Sequence, residues 1–306
     1  GMISFRELGS YGRFGNQLFQ YAFLRTTAQR LGVKFFCPEW AGDSIFLLND
    51  DNERTSEPGP TDKEYRQPLD NGGFIDSALR IEDGTNILGY FQAERYFDRG
   101  SVTRWYAFRP EVVAAVRAKH RHVDLAQCTG IHLRFGDMKD NPMFVMLPPR
   151  YYAKALSILP PRKQILVFSD EMTAAKEHLR GIPGSFSYVE GNEYFEDLYL
   201  MTQCGDFVCS VSTLSWWGAW LNDRPDKTVV APPEGLRPGC FIRSPDFCCA
   251  GWVPLDTNRL ILDDYRFLLL KRRFDPWKRR LDRARAKSLR GNIRSLKVYI
   301  EEKFRQ

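Results

Sequence analysis

Residues 128–135 read CTGIHLRF, and how this stretch is read decides the architecture around it. It is a short apolar run with no helical period, which reads as a buried strand. The same pattern continues along the chain. PRYYAKALSIL (149–159) reads as a helix, KQILVFS (163–169) as a strand, EMTAAKEHLRG (171–181) as a helix and SFSYVE (185–190) as a strand. EYFEDLYLMTQCG (193–205) is then a helix, DFVCSVS (206–212) a strand, LSWWGAWLN (214–222) a helix and KTVVAPP (227–233) a strand. Strands that alternate with helices imply a parallel sheet covered on both faces, an α/β fold. Ligands of such sheets lie beyond the carboxyl ends of the strands. The chemistry should therefore sit in HLRFGD (132–137), FSDE (168–171), SVSTLS (210–215) and APPE (231–234).

Towards the N-terminus the pattern begins the same way. MISFREL (2–8) reads as a strand, NQLFQYAFLRTTAQRLG (16–32) as a helix closed by Gly32, and VKFFCP (33–38) as a second strand. Between the first two lies GRFGNQ (12–17). Residues 49–73 are polar and rich in turn formers and read as a long surface loop. TNILGYF (85–91) returns to strand character, and PEVVAAVRAKHRHV (110–123) is a helix with proline at its start.

A chain of 306 residues suits two domains, and 43% hydrophobic with 14% aromatic content excludes a disordered protein. No stretch approaches the roughly 18 uninterrupted apolar residues of a membrane span. Seven scattered cysteines contain no C-x-x-C pair, so reduced thiols are expected rather than a zinc site or a disulfide framework. His120 and His122 read as a solvated basic helix end rather than a metal pair, and no metal is expected. The net charge of +6 is unevenly spread: residues 265–306 carry 15 Lys+Arg against 4 Asp+Glu, leaving the rest mildly acidic. The basic balance thus belongs to one segment, and a nucleic-acid partner is not expected.

At the strand ends, His132 and Arg134 share one face because side chains alternate with period two, and Asp137 follows. Ser212, Thr213 and Ser215 stand at a helix N-terminus, where hydroxyls and free N–H groups suit an anion. One arginine aimed at that place would complete a phosphate cradle. Each feature has a plainer reading: a helix cap at Ser212 or Thr213, and an ion pair between Arg134 and Asp137. Together, at neighbouring strand ends, they favour a nucleotide or sugar nucleotide. GRFGNQ lacks the Lys-Ser/Thr of a P-loop. A tight strand-to-helix turn would explain its glycines but not Arg13 and Asn16.

Five segments in order, GRFGNQLFQYAF (12–23), ILGYFQAERYF (87–97), GIHLRFGDM (130–138), VFSDE (167–171) and STLSWWGAWL (212–221), resemble the motifs of bacterial α-1,2-fucosyltransferases. The resemblance runs from about residue 9 to residue 235 and extends to a wider group with α-1,6- and protein O-fucosyltransferases. It implies the inverting glycosyltransferase-B architecture: two Rossmann-like domains facing across a cleft, with GDP-fucose as donor, a glycan or lipid-linked glycan as acceptor, and no cofactor or required metal. The expected division is an acceptor-side domain with the glycine-rich loop (2–125), a GDP-fucose-binding domain (126–262) and a basic helical tail (263–306). Arg134 matches the first arginine of an H-x-R-R-x-D motif that contacts the β-phosphate, and His132 the motif histidine near guanine. Asp197 corresponds to an acidic residue on guanine, and Ser212, Thr213 and Ser215 to the hydroxyl cluster at the diphosphate. Arg13, Gly15 and Asn16 match the loop that reaches the phosphates and the fucose. Asp137 and Asp140 are candidates for the general base. The chain departs from the pattern at two positions, Phe135 in place of the second arginine and Val211 in place of an asparagine. A single-arginine motif also occurs in protein O-fucosyltransferases, which leaves that activity, and a non-catalytic GDP-sugar or glycan binder, as alternatives. The tail places Leu281, Leu289, Ile293, Leu296, Ile300 and Phe304 on one helical face. That stripe suits either packing on the body or contact with an anionic membrane surface; the expectation is a cytoplasmic protein, peripheral at the inner face of the membrane on the second of these readings.

Overall fold

A computed structural model describes residues 1–68, 71–138, 144, 146–235 and 244–256. The expected tail, Asp140 and the side chain of Asp137 lie outside the described residues.

In the first half, β1 (Met2–Ser4), α1 (Phe14–Leu31), β2 (Lys34–Phe36), the short α2 (Gly42–Ile45), β3 (Lys63–Arg66) and β4 (Thr85–Leu88) follow in order, then α3 (Arg99–Trp105) and α4 (Pro110–Lys119). The four strands form one parallel sheet in the order β2-β1-β4-β3. Helix α1 ends at Gly32, whose φ of 66° is the left-handed conformation glycine adopts without strain. Its buried residues run on from Phe14 and Gly15 through Gln17–Arg25, because it is sandwiched rather than laid on a surface. The polar stretch 49–73 is not wholly loop. It contains β3, which pairs with β4 from Lys63↔Thr85 to Arg66↔Leu88. Three of the four β3 residues are exposed, so this edge strand carries no apolar alternation for a sequence reading to find.

The second half alternates as its pattern requires: β5 (Cys128–Leu133), α5 (Pro149–Ile158), β6 (Gln164–Ser169), α6 (Met172–His178), β7 (Phe186–Tyr188), α7 (Tyr194–Met201), β8 (Asp206–Val208), α8 (Thr213–Leu221), β9 (Val229–Ala231) and β10 (Val253–Pro254). All six strands are parallel, ordered β10-β9-β8-β5-β6-β7. In sequence terms this is the dinucleotide-fold order 3-2-1-4-5-6, with the reversal between β5 and β8. Every residue of β5 is buried, as a central parallel strand must be.

The two halves are joined by aromatic side chains. Helix α8 places Trp216 and Trp217 against Phe19 of α1, with ring centroids 4.5 and 4.7 Å away, and Trp220 edge-on to Phe97 at 5.4 Å. Each of these indole N–H groups finds an acceptor: Trp216 on the Phe247 carbonyl, Trp217 on the Gly15 carbonyl at 3.0 Å, and Trp220 on Glu94 at 3.1 Å. The three tryptophans thus belong to the core of the first half as well as to their own helix.

Candidate active site

The site begins where β5 and β8 end side by side. His132 is buried near the end of β5, and its Nδ1 lies 2.6 Å from the Ser210 hydroxyl beyond β8. Burial, with the Arg134 charge nearby, pushes the imidazole down to about 3. It is therefore neutral at working pH and serves as a hydrogen-bonding group, not as a cation. Hydroxyls on α5 brace the two strand ends: Tyr152 donates to the His132 carbonyl at 3.1 Å and Tyr151 to the Cys209 carbonyl at 2.7 Å.

Arg134 follows on the same face, as period two requires. Its ion-pair partner among the described residues is Asp170, at the carboxyl end of β6, with Nη1–Oδ2 at 2.6 Å. The other Asp170 oxygen accepts the Phe135 N–H at 3.0 Å. Gly136 leaves room for this carboxylate, since a Cβ there would stand 2.4 Å from Asp170 Oδ2. The ion pair expected within the same turn, with Asp137, falls on a side chain outside the described residues; the pair that is described reaches a residue 36 positions onward. Asp170 was legible only as part of a strand-end segment; its pairing needed the β5–β6 register, where Leu133 faces Ser169.

Across the strand boundary, Ser212 is the N-cap of α8, and its side chain makes no cap hydrogen bond to the helix. Thr213 opens the helix and is partly exposed. Ser215 is fully buried and its hydroxyl donates to the Ser212 carbonyl at 2.9 Å and the Ser210 carbonyl at 3.3 Å. Through these two bonds it braces the turn that carries Ser212 and Thr213.

The glycine-rich loop meets this edge from the other half. A Cβ on Gly15 would lie 2.4 Å from Thr213 Oγ1 and 2.7 Å from the Leu214 nitrogen, so only glycine lets α1 approach α8 so closely. Two glutamines hold the loop: Gln17 donates to the Gly9 and Gly12 carbonyls at 3.1 Å, and Gln20, which carries no signal in the sequence, to the Tyr11 carbonyl at 2.7 Å. Asn16 Oδ1 accepts from Gln92 Nε2 at 2.8 Å, and Arg13 is exposed at the N-cap of α1.

Asp197 lies in the first turn of α7, where Asn192 donates to it at 2.9 Å. Burial, with the Glu196 carboxylate adding to it, pushes its carboxyl up to about 6. Phe135 and Val211, the two departures from the motif pattern, are 5% and 3% exposed and lie in one apolar cluster. The Phe135 ring stands edge-on to His178 at 5.4 Å. Among the described residues, no three of His, Cys, Asp and Glu gather to hold a metal ion, and no helix is long and apolar enough to cross a membrane.

Two parallel sheets that face each other by their carboxyl edges, with a braced arginine and a helix N-terminus at the switch point of one, define a glycosyltransferase-B type of fold. Comparison with known proteins narrows this. The chain belongs to glycosyl transferase family 11, whose profile matches residues 6–236. The O-antigen biosynthesis glycosyltransferase WbnK of Escherichia coli is 30% identical over 171 residues, covering 50% of this chain and 56% of that protein. An alpha-1,2-colitosyltransferase of Escherichia coli is 27% identical over 189 residues, covering 58% of this chain and 64% of that protein. The chain thus matches between half and two thirds of the length of these relatives. Among solved structures, POFUT1 in complex with GDP superposes with a TM-score of 0.50 at 13% identity, covering 76% of this chain and 98% of that one. That likeness is one of fold alone.

Proposed function

We propose that this chain is an inverting fucosyltransferase that moves L-fucose from GDP-fucose to a glycan hydroxyl, forming an α-1,2 linkage in cell-surface polysaccharide synthesis. One observation carries the reading: Arg134, locked by Asp170, stands at the switch-point edge beside the α8 N-terminus, opposite the Arg13–Asn16 loop. Family membership and the relatives named for O-antigen biosynthesis and α-1,2 transfer support it.

The acceptor oxygen attacks the anomeric carbon as the bond to the β-phosphate oxygen breaks. GDP leaves with the electron pair, and the acceptor proton passes to a base. Negative charge therefore grows on the diphosphate, where fixed donors stabilise the transition state more than the ground state. Arg134 offers a planar fork to phosphate oxygens. Ser212, Thr213 and the first turn of α8 offer hydroxyls and backbone N–H groups. Arg13 and Asn16 act from the opposing loop. His132, neutral and tied to Ser210, orients the edge toward guanine, and Asp197 accepts from the guanine edge. Asp137 and Asp140, which follow β5 in sequence, are the candidates for the base. On this reading no metal or other cofactor takes part.

A second reading of the donor comes from the relative named for colitosyl transfer. Calorimetry with GDP, UDP and ADP, without divalent metal, tests the common part: GDP binds tightest, and equal affinity for UDP rejects it. Product analysis with GDP-fucose and GDP-colitose on a glycan panel separates the two donors.

A further inference from the structure

We propose that the acceptor sugar is held by a tyrosine pair, Tyr11 and Tyr90, together with the amides of Asn16 and Gln92. This deepens the reading above and rests on it. Tyr11 lies in the loop after β1 and Tyr90 in the turn after β4, and these two strands are hydrogen-bonded neighbours through Ser4↔Asn86. The rings stack with centroids 4.9 Å apart and planes 23° from parallel, and both are half-buried. They thus stand at the carboxyl edge of the four-stranded sheet, the edge that faces α8.

The turn carrying Tyr90 is strained. Phe91 has a φ of 52°, a left-handed conformation that a bulky side chain rarely adopts. Strain of this kind persists only where the surroundings over-determine it, and it clusters at ligand sites. Here the surroundings are explicit. Phe91 is fully buried and stacked on Phe23 at 3.8 Å. The buried Gln67 accepts the Tyr90 and Phe91 N–H groups at 2.8 and 2.9 Å and donates to the Gly73 carbonyl at 2.9 Å. With Phe91 anchored inward, its two neighbours reach the glycine loop: Tyr90 stacks on Tyr11, and Gln92 donates to Asn16 at 2.8 Å. Asn16 follows Gly15, which touches Thr213. Tyrosines, amides and the α8 N-terminus therefore form one continuous band from sheet edge to sheet edge.

The chemistry of the band fits a neutral sugar. Tyrosine rings present apolar faces to the axial C–H groups of a pyranose, and their hydroxyls remain polar handles. After their mutual bond, Asn16 keeps both amide donors and Gln92 keeps its carbonyl acceptor, a set that matches ring hydroxyls. No carboxylate or ammonium belongs to this group, so it suits an uncharged acceptor sugar, and Asn16 stands at its end nearest the donor. Gln67 is a positioning residue for the turn.

Saturation-transfer NMR on the full chain tests this, with and without GDP. The probes are methyl β-D-galactopyranoside and methyl N-acetyl-β-D-glucosaminide. At least one receives saturation on its ring C–H protons, and the signal falls about tenfold in Tyr11→Ala and in Tyr90→Ala. Neither sugar saturating on the unaltered protein, or signals equal in the alanine variants, overturns the assignment. Should Tyr90→Ala fail to fold, Tyr11→Ala decides alone. Failure of GDP to bind in calorimetry rejects the donor reading, while saturation measured without GDP still decides for or against the sugar platform.

Discussion

The pair Arg134–Asp170 allows a test in which structure and catalysis give opposite answers. The side chains are 14% and 22% exposed, between an open surface pair and a sealed one. Exposed pairs contribute about 0.2–1 kcal/mol, whereas breaking a buried one costs about 3–5 kcal/mol. Removing either partner should therefore cost about 2 kcal/mol, a fall of roughly 3–6 °C in melting temperature. Catalysis separates the two residues. If Arg134 meets the leaving diphosphate, Arg134→Ala lowers kcat/KM by about 10²–10³. Arg134→Lys keeps the charge but loses the fork, and loses most of the activity. Asp170 acts through Arg134, so Asp170→Ala lets the guanidinium drift and costs about 10²-fold. The double variant should then be no slower than Arg134→Ala, because residues that act as a unit are not additive. The assay is GDP release from GDP-fucose with and without acceptor, beside thermal melting. Near-normal turnover in Arg134→Ala with the same melting loss as Asp170→Ala would show the pair to be structural only. Multiplying losses in the double variant would refute positioning.

Phe135→Arg places a charge in the apolar cluster with Tyr152 and Leu147, a burial that costs several kcal/mol; melting should fall sharply and activity should not rise, and an unchanged melt with faster transfer would contradict the core assignment. Gly15→Ala sets a methyl 2.4 Å from Thr213 Oγ1 and 2.7 Å from the Leu214 nitrogen, so α1 and α8 must separate, with about 1–3 kcal/mol lost and transfer reduced with it; a normal melt and normal rate would refute the contact. Asp197, raised to about 6, is charged above that pH, and guanine N–H groups require the carboxylate, so GDP affinity should fall as pH drops from about 7.5 to about 5. Asp197→Asn should bind weakly at both ends of that range; a wild-type affinity flat with pH removes the guanine role. Deleting residues 278–306 should abolish salt-sensitive sedimentation with anionic vesicles, since the net positive tail is screened by ions; unchanged sedimentation of the shortened chain rejects membrane contact.

Much of the second half was legible along the chain. Apolar runs alternating with helical period specify parallel strands and crossover helices, and the pleat alone puts His132 and Arg134 on one face. Gly32 announced the end of α1 because its left-handed conformation is a local requirement. Local signals of this kind act within one turn or one strand, where neighbours in sequence are neighbours in space.

What lay beyond that reach was decided by topology. Arg134 has aspartates nearby in sequence, yet it grips a carboxylate from the next strand over, because β5 and β6 are in register. Ser215 shares a hydroxyl with Ser212 and Thr213 but turns inward, since helix phase three positions on points it at the Ser212 carbonyl. Gly15 and Thr213 meet across 198 positions because one aromatic core spans both halves. The strand β3 hides in a polar segment because its bonding partner is β4 and not its own pattern. Phe135 and Val211 look like two separate departures in sequence, and they become one apolar surface only when β5 and β8 end side by side. Sequence periodicity determines which face a residue takes within its element; the strand order alone determines what that face meets.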